Sequence, residues 1–132
     1  QLAAAPADSV EGRPVDVVRV TFEAGTGDAP DDYYDLLLDP ETNRVQGVRY
    51  VVSYPAFNPD GGHTPETLMI YDGEQTIEGE SGAVVLQEGF RSFDSASGLP
   101  KARGTLTDVR FAPTTRDSDF DDHTGMFARH EP

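Results

Sequence analysis

His63, with Glu66 three positions on, is the first pair in this sequence that could do metal or acid–base chemistry. An H-x-x-E pair grips a metal when one helix face or a rigid turn makes both side chains converge. Here His63 lies within PAFNPDGGHTP, residues 55–65, whose three prolines and Gly-Gly step exclude regular structure, and Glu66 follows it directly. A solvated loop histidine is the expectation. His123 and His130 have no nucleophile or orienting partner at a fixed spacing. Gly79-Glu80-Ser81-Gly82 misses the G-x-S-x-G elbow by one residue and joins two strand-like runs, where the elbow needs a strand and a helix.

A second constellation is RDSDFDDHTG. Asp117, Asp119 and Asp121 sit two apart, as in the opening of a calcium loop, where hard oxygen ligands converge on one cation. The pattern then breaks, with Asp122 where the loop requires glycine and Ala128 where it requires a bidentate Glu. These aspartates are weak candidates for a looser cation site, and an acidic solvated loop is the plainer expectation. No metal, cofactor or catalytic residue is expected, and the chain does not read as an enzyme.

What remains is apolar and aromatic. Residues 31–54, DDYYDLLLDPETNRVQGVRYVVSY, read as two strands reversed at Asp39-Pro40-Glu41-Thr42-Asn43. Tyr34, Leu36 and Leu38 alternate with Tyr33, Asp35 and Leu37; Val48, Tyr50, Val52 and Tyr54 alternate with Gly47, Arg49, Val51 and Ser53. Asp and Pro open the turn, and Asn43 tolerates a left-handed backbone. Further strands are expected at 15–22, 67–71, 74–78, 84–93 and 104–112, with Asp72-Gly73 as a hairpin turn and Gly89 as a bulge or bend. No stretch of about 12 residues carries a helical apolar stripe. The fold expected is all-β and mainly antiparallel, a six- to seven-stranded meander with little or no helix. Residues 1–14 are expected to be a flexible segment, 15–112 the sheet domain, and 113–132 an acidic tail packing back through Met126 and Phe127. Because apolar residues fall on both faces of the strands, each face needs something to cover it.

Composition bounds the partners. Asp and Glu number 24 against 10 Lys and Arg, a formal charge of −14, with Lys101 the only lysine. Such a surface repels phosphate backbones and anionic membranes, so nucleic acid is not an expected partner. A cation site, an acidic tail and adaptation to high salt all account for the charge. Acids scattered along the whole chain, with almost no lysine, favour salt adaptation. No apolar run approaches the ~18 residues of a membrane span.

The strings D-D-Y-Y-x-L-x-x-D-P-E-T-N and G-V-R-Y-x-V-x-Y-P carry a resemblance. Ile70-Tyr71-Asp72-Gly73, Phe90-Arg91-Ser92-Phe93-Asp94 and residues 127–132 extend it. Together, over about residues 12–132, they resemble the C-terminal half of an uncharacterised family of exported Bacteroidota proteins with the fold of the lipoprotein-carrier and lipoprotein-receptor group (LolA/LolB). The resemblance implies an incomplete, half-closed antiparallel barrel, a periplasmic or cell-surface location, and an acyl chain or other apolar ligand on the concave face. On that expectation Tyr34, Leu36, Leu38, Val48, Tyr50, Val52 and Phe90 line the ligand face. The family's upstream strands and plugging helix have no counterpart here, so the strand at 15–22 is expected to offer an unpaired edge through which a second copy could pair as a homodimer. A surface interaction module, pairing through that edge without a small ligand, is the alternative.

Overall fold

The computed structural model describes residues 1–23, 29, 31–111 and 114. Nine strands form two sheets: β1 (Leu2–Val10), β2 (Arg13–Thr21), β3 (Tyr33–Leu38), β4 (Val45–Tyr50), β5 (Thr67–Asp72), β6 (Gln75–Gly79), β7 (Gly82–Leu86), β8 (Gly89–Asp94) and β9 (Pro100–Thr105). The main sheet has seven antiparallel strands in the order β1-β2-β3-β4-β5-β8-β9, and the β6–β7 hairpin stands apart between β5 and β8. It is an open all-β meander, as the alternation predicts, and no helix occurs among the described residues.

The turn chemistry explains the reversals. At the β3–β4 turn the Asp39 carboxylate accepts from the backbone N–H groups of Glu41 and Thr42 at 2.9 and 2.8 Å, and Asn43 adopts φ 57°. These two N–H donors, Thr42 first, hold the Asp39 carboxyl below its ordinary pKa. The β1–β2 turn places both central residues at positive φ, Glu11 at 51° and Gly12 at 78°, the backbone a two-residue hairpin needs.

Several boundaries differ from the sequence reading. Residues 2–10, within the segment expected to be flexible, form β1, because residues 2–5 and 8–10 pair with β2, from Leu2↔Val20 to Val10↔Arg13. The strand at 15–22 is therefore covered, and the edge expected there belongs to β1 instead. The run 84–93 is split at Gln87 and Glu88 into β7 and β8, which lie in different sheets. The last strand runs over Pro100–Thr105, ahead of the expected 104–112. The acidic tail, its cation candidates Asp117, Asp119 and Asp121, and His123, His130, Met126 and Phe127 lie outside the described residues.

Register fixes which residues share a face. One face carries Val17, Leu37, Gly47, Ile70 and Arg91 in a row across the sheet, beside a second row of Arg19, Asp35, Arg49 and Leu68. The other carries Val18, Leu36, Val48 and Met69, with Tyr34 and Tyr50. Burial is deeper on the first face, where Leu37 and Val51 are fully enclosed and Val15 and Val17 are 3% exposed, while Val48, Thr67 and Ser92 are buried on the other. The first face is also concave. Strands β1 and β4 are three spacings apart, about 14 Å in a flat sheet, and β2 and β8 about 19 Å. Yet Asp8 of β1 meets Arg49 of β4 at 2.7 Å, and Glu11 meets Arg91 of β8 at 2.8 Å. Side chains stand off a flat sheet and could not meet across such gaps, so the sheet curls toward this face. Gly47 sits where the curl tightens. A Cβ there would lie 2.4 Å from the backbone oxygen of Met69.

Candidate functional site

The residues expected to line a concave ligand face lie on the opposite one. Tyr34, Leu36, Leu38, Val48 and Tyr50 are brought together, but on the convex side, and Phe90 lies farther along that same side. Tyr34 and Tyr50 stack at 6.0 Å, with Phe22 edge-on to Tyr34 at 6.1 Å, and Phe90 covers Gly104 on the neighbouring strand. Val52 is on no strand. Its N–H donates to Thr64 Oγ1 and its carbonyl accepts from Asn58, which ties it to the 55–65 loop. Both strand faces carry apolar residues, so alternation alone did not say which turns inward. The ion pairs that Asp8 and Glu11 make across the sheet show the direction, on a face that also carries a charged trio.

That trio is Arg19, Asp35 and Arg49, directly opposite one another on β2, β3 and β4. Asp35 is 3% exposed and accepts two hydrogen bonds from Arg19, at 2.7 and 2.8 Å, with Arg49 at 3.8 Å on the other side. A buried carboxylate needs such partners, since desolvating it alone is prohibitive. Arg19 also lies over the Tyr33 ring, 4.4 Å from its centroid. The Tyr33 hydroxyl and the Ser95 hydroxyl donate to the two oxygens of Glu66, which occupies the carboxylate that His63 was paired with in sequence. His63 is exposed, its Nδ1 2.7 Å from the Thr64 carbonyl. Among the described residues no group of three His, Asp or Glu converges as a metal set. Glu80 and Ser81 form a two-residue turn between β6 and β7, so the near-elbow motif is a hairpin tip.

Burial first, then the bond to Glu66 and its charge, pushes the Tyr33 phenol from 10.0 up to about 12. The folded state favours the neutral phenol. Its contribution to stability is therefore complete below pH 10 and lost as pH rises from 10 to 12. In an alkaline titration followed by phenolate absorbance, one of the five tyrosines is expected to ionise near pH 12. That step should vanish in Tyr33→Phe; its persistence would reassign it.

Two cavities open on the concave side. The larger, about 750 Å³, lies at the end of the sheet where the β1–β2 and β3–β4 turns meet β7. Val10, Val15, Ile70, Val85 and Leu86 line it. Charged side chains line it as well: Arg91 binds Asp72 through Nε and Nη2 and Glu11 through Nη1, and Arg44 pairs with Glu74. Arg91 holds both Glu11 and Asp72 below their ordinary pKa values, and they in turn, Asp72 foremost, raise its own. Arg13 lines the same cleft and makes no ion pair among the described residues. The smaller cavity, about 500 Å³, lies between residues 3–8 of β1 and the Arg19–Asp35–Arg49 row. No signal in the sequence marked these arginines, since the ion pairs join residues 14 to 80 positions apart. Among the described residues no helix is long and apolar enough to cross a membrane. No family model, curated protein or solved structure matches the chain, so its function is argued from the geometry of this curled sheet.

Proposed function

We propose that the chain is a non-enzymatic binding module that holds the apolar part of an amphiphilic ligand in the larger concave cleft. The observation that carries this reading is the cleft's mixed lining, in which Val10, Val15, Ile70, Val85 and Leu86 stand beside the charged side chains of Glu11, Arg13, Arg44, Asp72, Glu74 and Arg91. A concave volume of this size is the usual form of a small-ligand site, and the mixture of apolar and charged walls suits an amphiphile. The reading keeps the concave-face binding that the carrier resemblance implies, and with it the exported setting. It moves the ligand away from Tyr34 and Tyr50 to the other side of the sheet.

Burying one methylene contributes about 0.8 kcal/mol, close to a fourfold change in Kd. Displacement of a dansyl-labelled fatty acid by a series from octanoate to dodecanoate should therefore show roughly fourfold tighter binding per added carbon. Val85→Asp, at a position 44% exposed and outside the core, should abolish displacement while leaving the fold intact. Affinity that ignores chain length, or survives Val85→Asp, overturns the reading.

A second reading is an interaction module. The convex stack of Phe22, Tyr34 and Tyr50 favours it, since Phe22 is exposed and both tyrosines are half-exposed. Pairing through an edge is less favoured. β9 is blunted by Pro100, Lys101 and Arg103, and β1 is interrupted by a bulge between Ala5 and Asp8 that contains Pro6. Native mass spectrometry separates the two readings: retained small-molecule mass supports the cleft, and an apo dimer supports the module.

A further inference from the structure

Both cavities share one wall. The β1–β2 hairpin supplies Val10, Glu11 and Arg13 to the larger cleft and residues 3–8 to the smaller. Within the sheet β1 pairs with β2 alone, and no backbone ladder joins the hairpin to β4, β5 or β8. Side chains hold it over the concave face: Asp8 to Arg49, Glu11 to Arg91, and the modest packing of Ala5 and Val10 on the Val15–Val17–Leu37 cluster. Leu2, Ala3, Ala4, Ala7 and Ser9 are exposed, so β1 buries little apolar area for a nine-residue strand. The bulge between Ala5 and Asp8 breaks its ladder with β2 midway.

We propose that β1 and the β1–β2 turn form a strap across the concave face, closed by the Asp8–Arg49 and Glu11–Arg91 ion pairs, whose release opens both cavities. The motion rests on this geometry, and its role in admitting a ligand rests on the binding reading above. Arg91 is the point of exchange. Asp72 holds its guanidinium through three contacts of 2.9 to 3.0 Å, whereas Glu11 holds it through one of 2.8 Å and a longer one of 3.3 Å. Asp72 sits on the adjacent strand and stays. Glu11 sits on the strap and leaves, so an anionic group entering the cleft can take its place on Arg91.

The chain contains no cysteine, so introduced ones are unique labelling sites. Nitroxides at Ser9→Cys and Arg103→Cys report the strap against the far edge, and a control pair at Val45→Cys and Arg103→Cys reports the sheet without it. Electron–electron double resonance should give one short distance for the strap pair. In Arg49→Ala/Arg91→Ala a longer distance should become the main population, while the control pair stays fixed. Removing the same pairs from the strap side, with Asp8→Ala/Glu11→Ala, leaves Arg49 beside Asp35 and Arg91 on Asp72 and should give the same longer distance. An unchanged strap distance in Arg49→Ala/Arg91→Ala overturns the proposal, as does a control pair that moves with it. A short distance retained in Asp8→Ala/Glu11→Ala also overturns it. Dodecanoate binding on the same variants keeps the two readings distinct. Equal on-rates with the strap closed and released remove its gating role, and no binding by any form removes the ligand reading while the distances still decide the strap.

Discussion

Replacing Asp35 by Ala is expected to lower the thermal midpoint by about 10 °C. Asp35 is the one buried carboxylate among the described residues, 3% exposed, with Arg19 and Arg49 on either side. Removing it leaves two guanidinium groups facing each other with their common counter-charge gone. Breaking a buried pair in this way costs roughly 3–5 kcal/mol. Arg19 is 45% exposed and Arg49 24%, so both can recover some hydration, which favours the lower end. About 3 kcal/mol corresponds to roughly 10 °C for a domain of this size. Arg19→Ala should cost a comparable amount, about 3 kcal/mol, because it strips the buried Asp35 carboxylate of both its hydrogen bonds and leaves Arg49 3.8 Å away. Calorimetry on both variants checks the two values. A fall of less than about 2 °C for Asp35→Ala would mean that the trio contributes no net stability.

Leu37→Ala should destabilise by about 3 kcal/mol, and Leu36→Ala by about 1 kcal/mol or less. The two residues are adjacent in β3 and chemically identical. Leu37 is fully buried among Val15, Val17 and Leu68 on the concave face, so its removal leaves a cavity. Leu36 lies half-exposed on the convex face, where solvent fills the space. Urea unfolding of both variants therefore tests the direction of the curl itself. If Leu36→Ala proved the costlier, the convex face would be the interior, and the Tyr34 and Tyr50 face would regain its claim to the ligand.

The central hairpin was legible residue by residue. Asp39, Pro40 and Asn43 prescribe the reversal, and strict alternation in residues 33–38 and 48–50 prescribes the strands. β1 was not legible, because a run of Ala, Pro and Ser has little strand propensity and forms a strand here by pairing with β2. The split between β7 and β8 was also hidden, since apolar residues continue through both while the chain changes sheets at Gln87 and Glu88.

The choice of inner face shows most clearly where local pattern stops. Leu36 and Tyr34 are as apolar as Leu37, and Asp35 argues against burial of its own face. Only register puts Arg19 and Arg49 opposite Asp35 and turns a charge that should face water into the centre of the concave side. By itself the sequence determined an antiparallel, acidic, cysteine-free sheet with no regular metal or catalytic spacing, because alternation, turn residues and composition are local or additive. Tertiary structure alone decided the curl, the inner face, the cleft and the strap. Each depends on charges and side chains that are far apart in the chain and meet only once seven strands have paired in order.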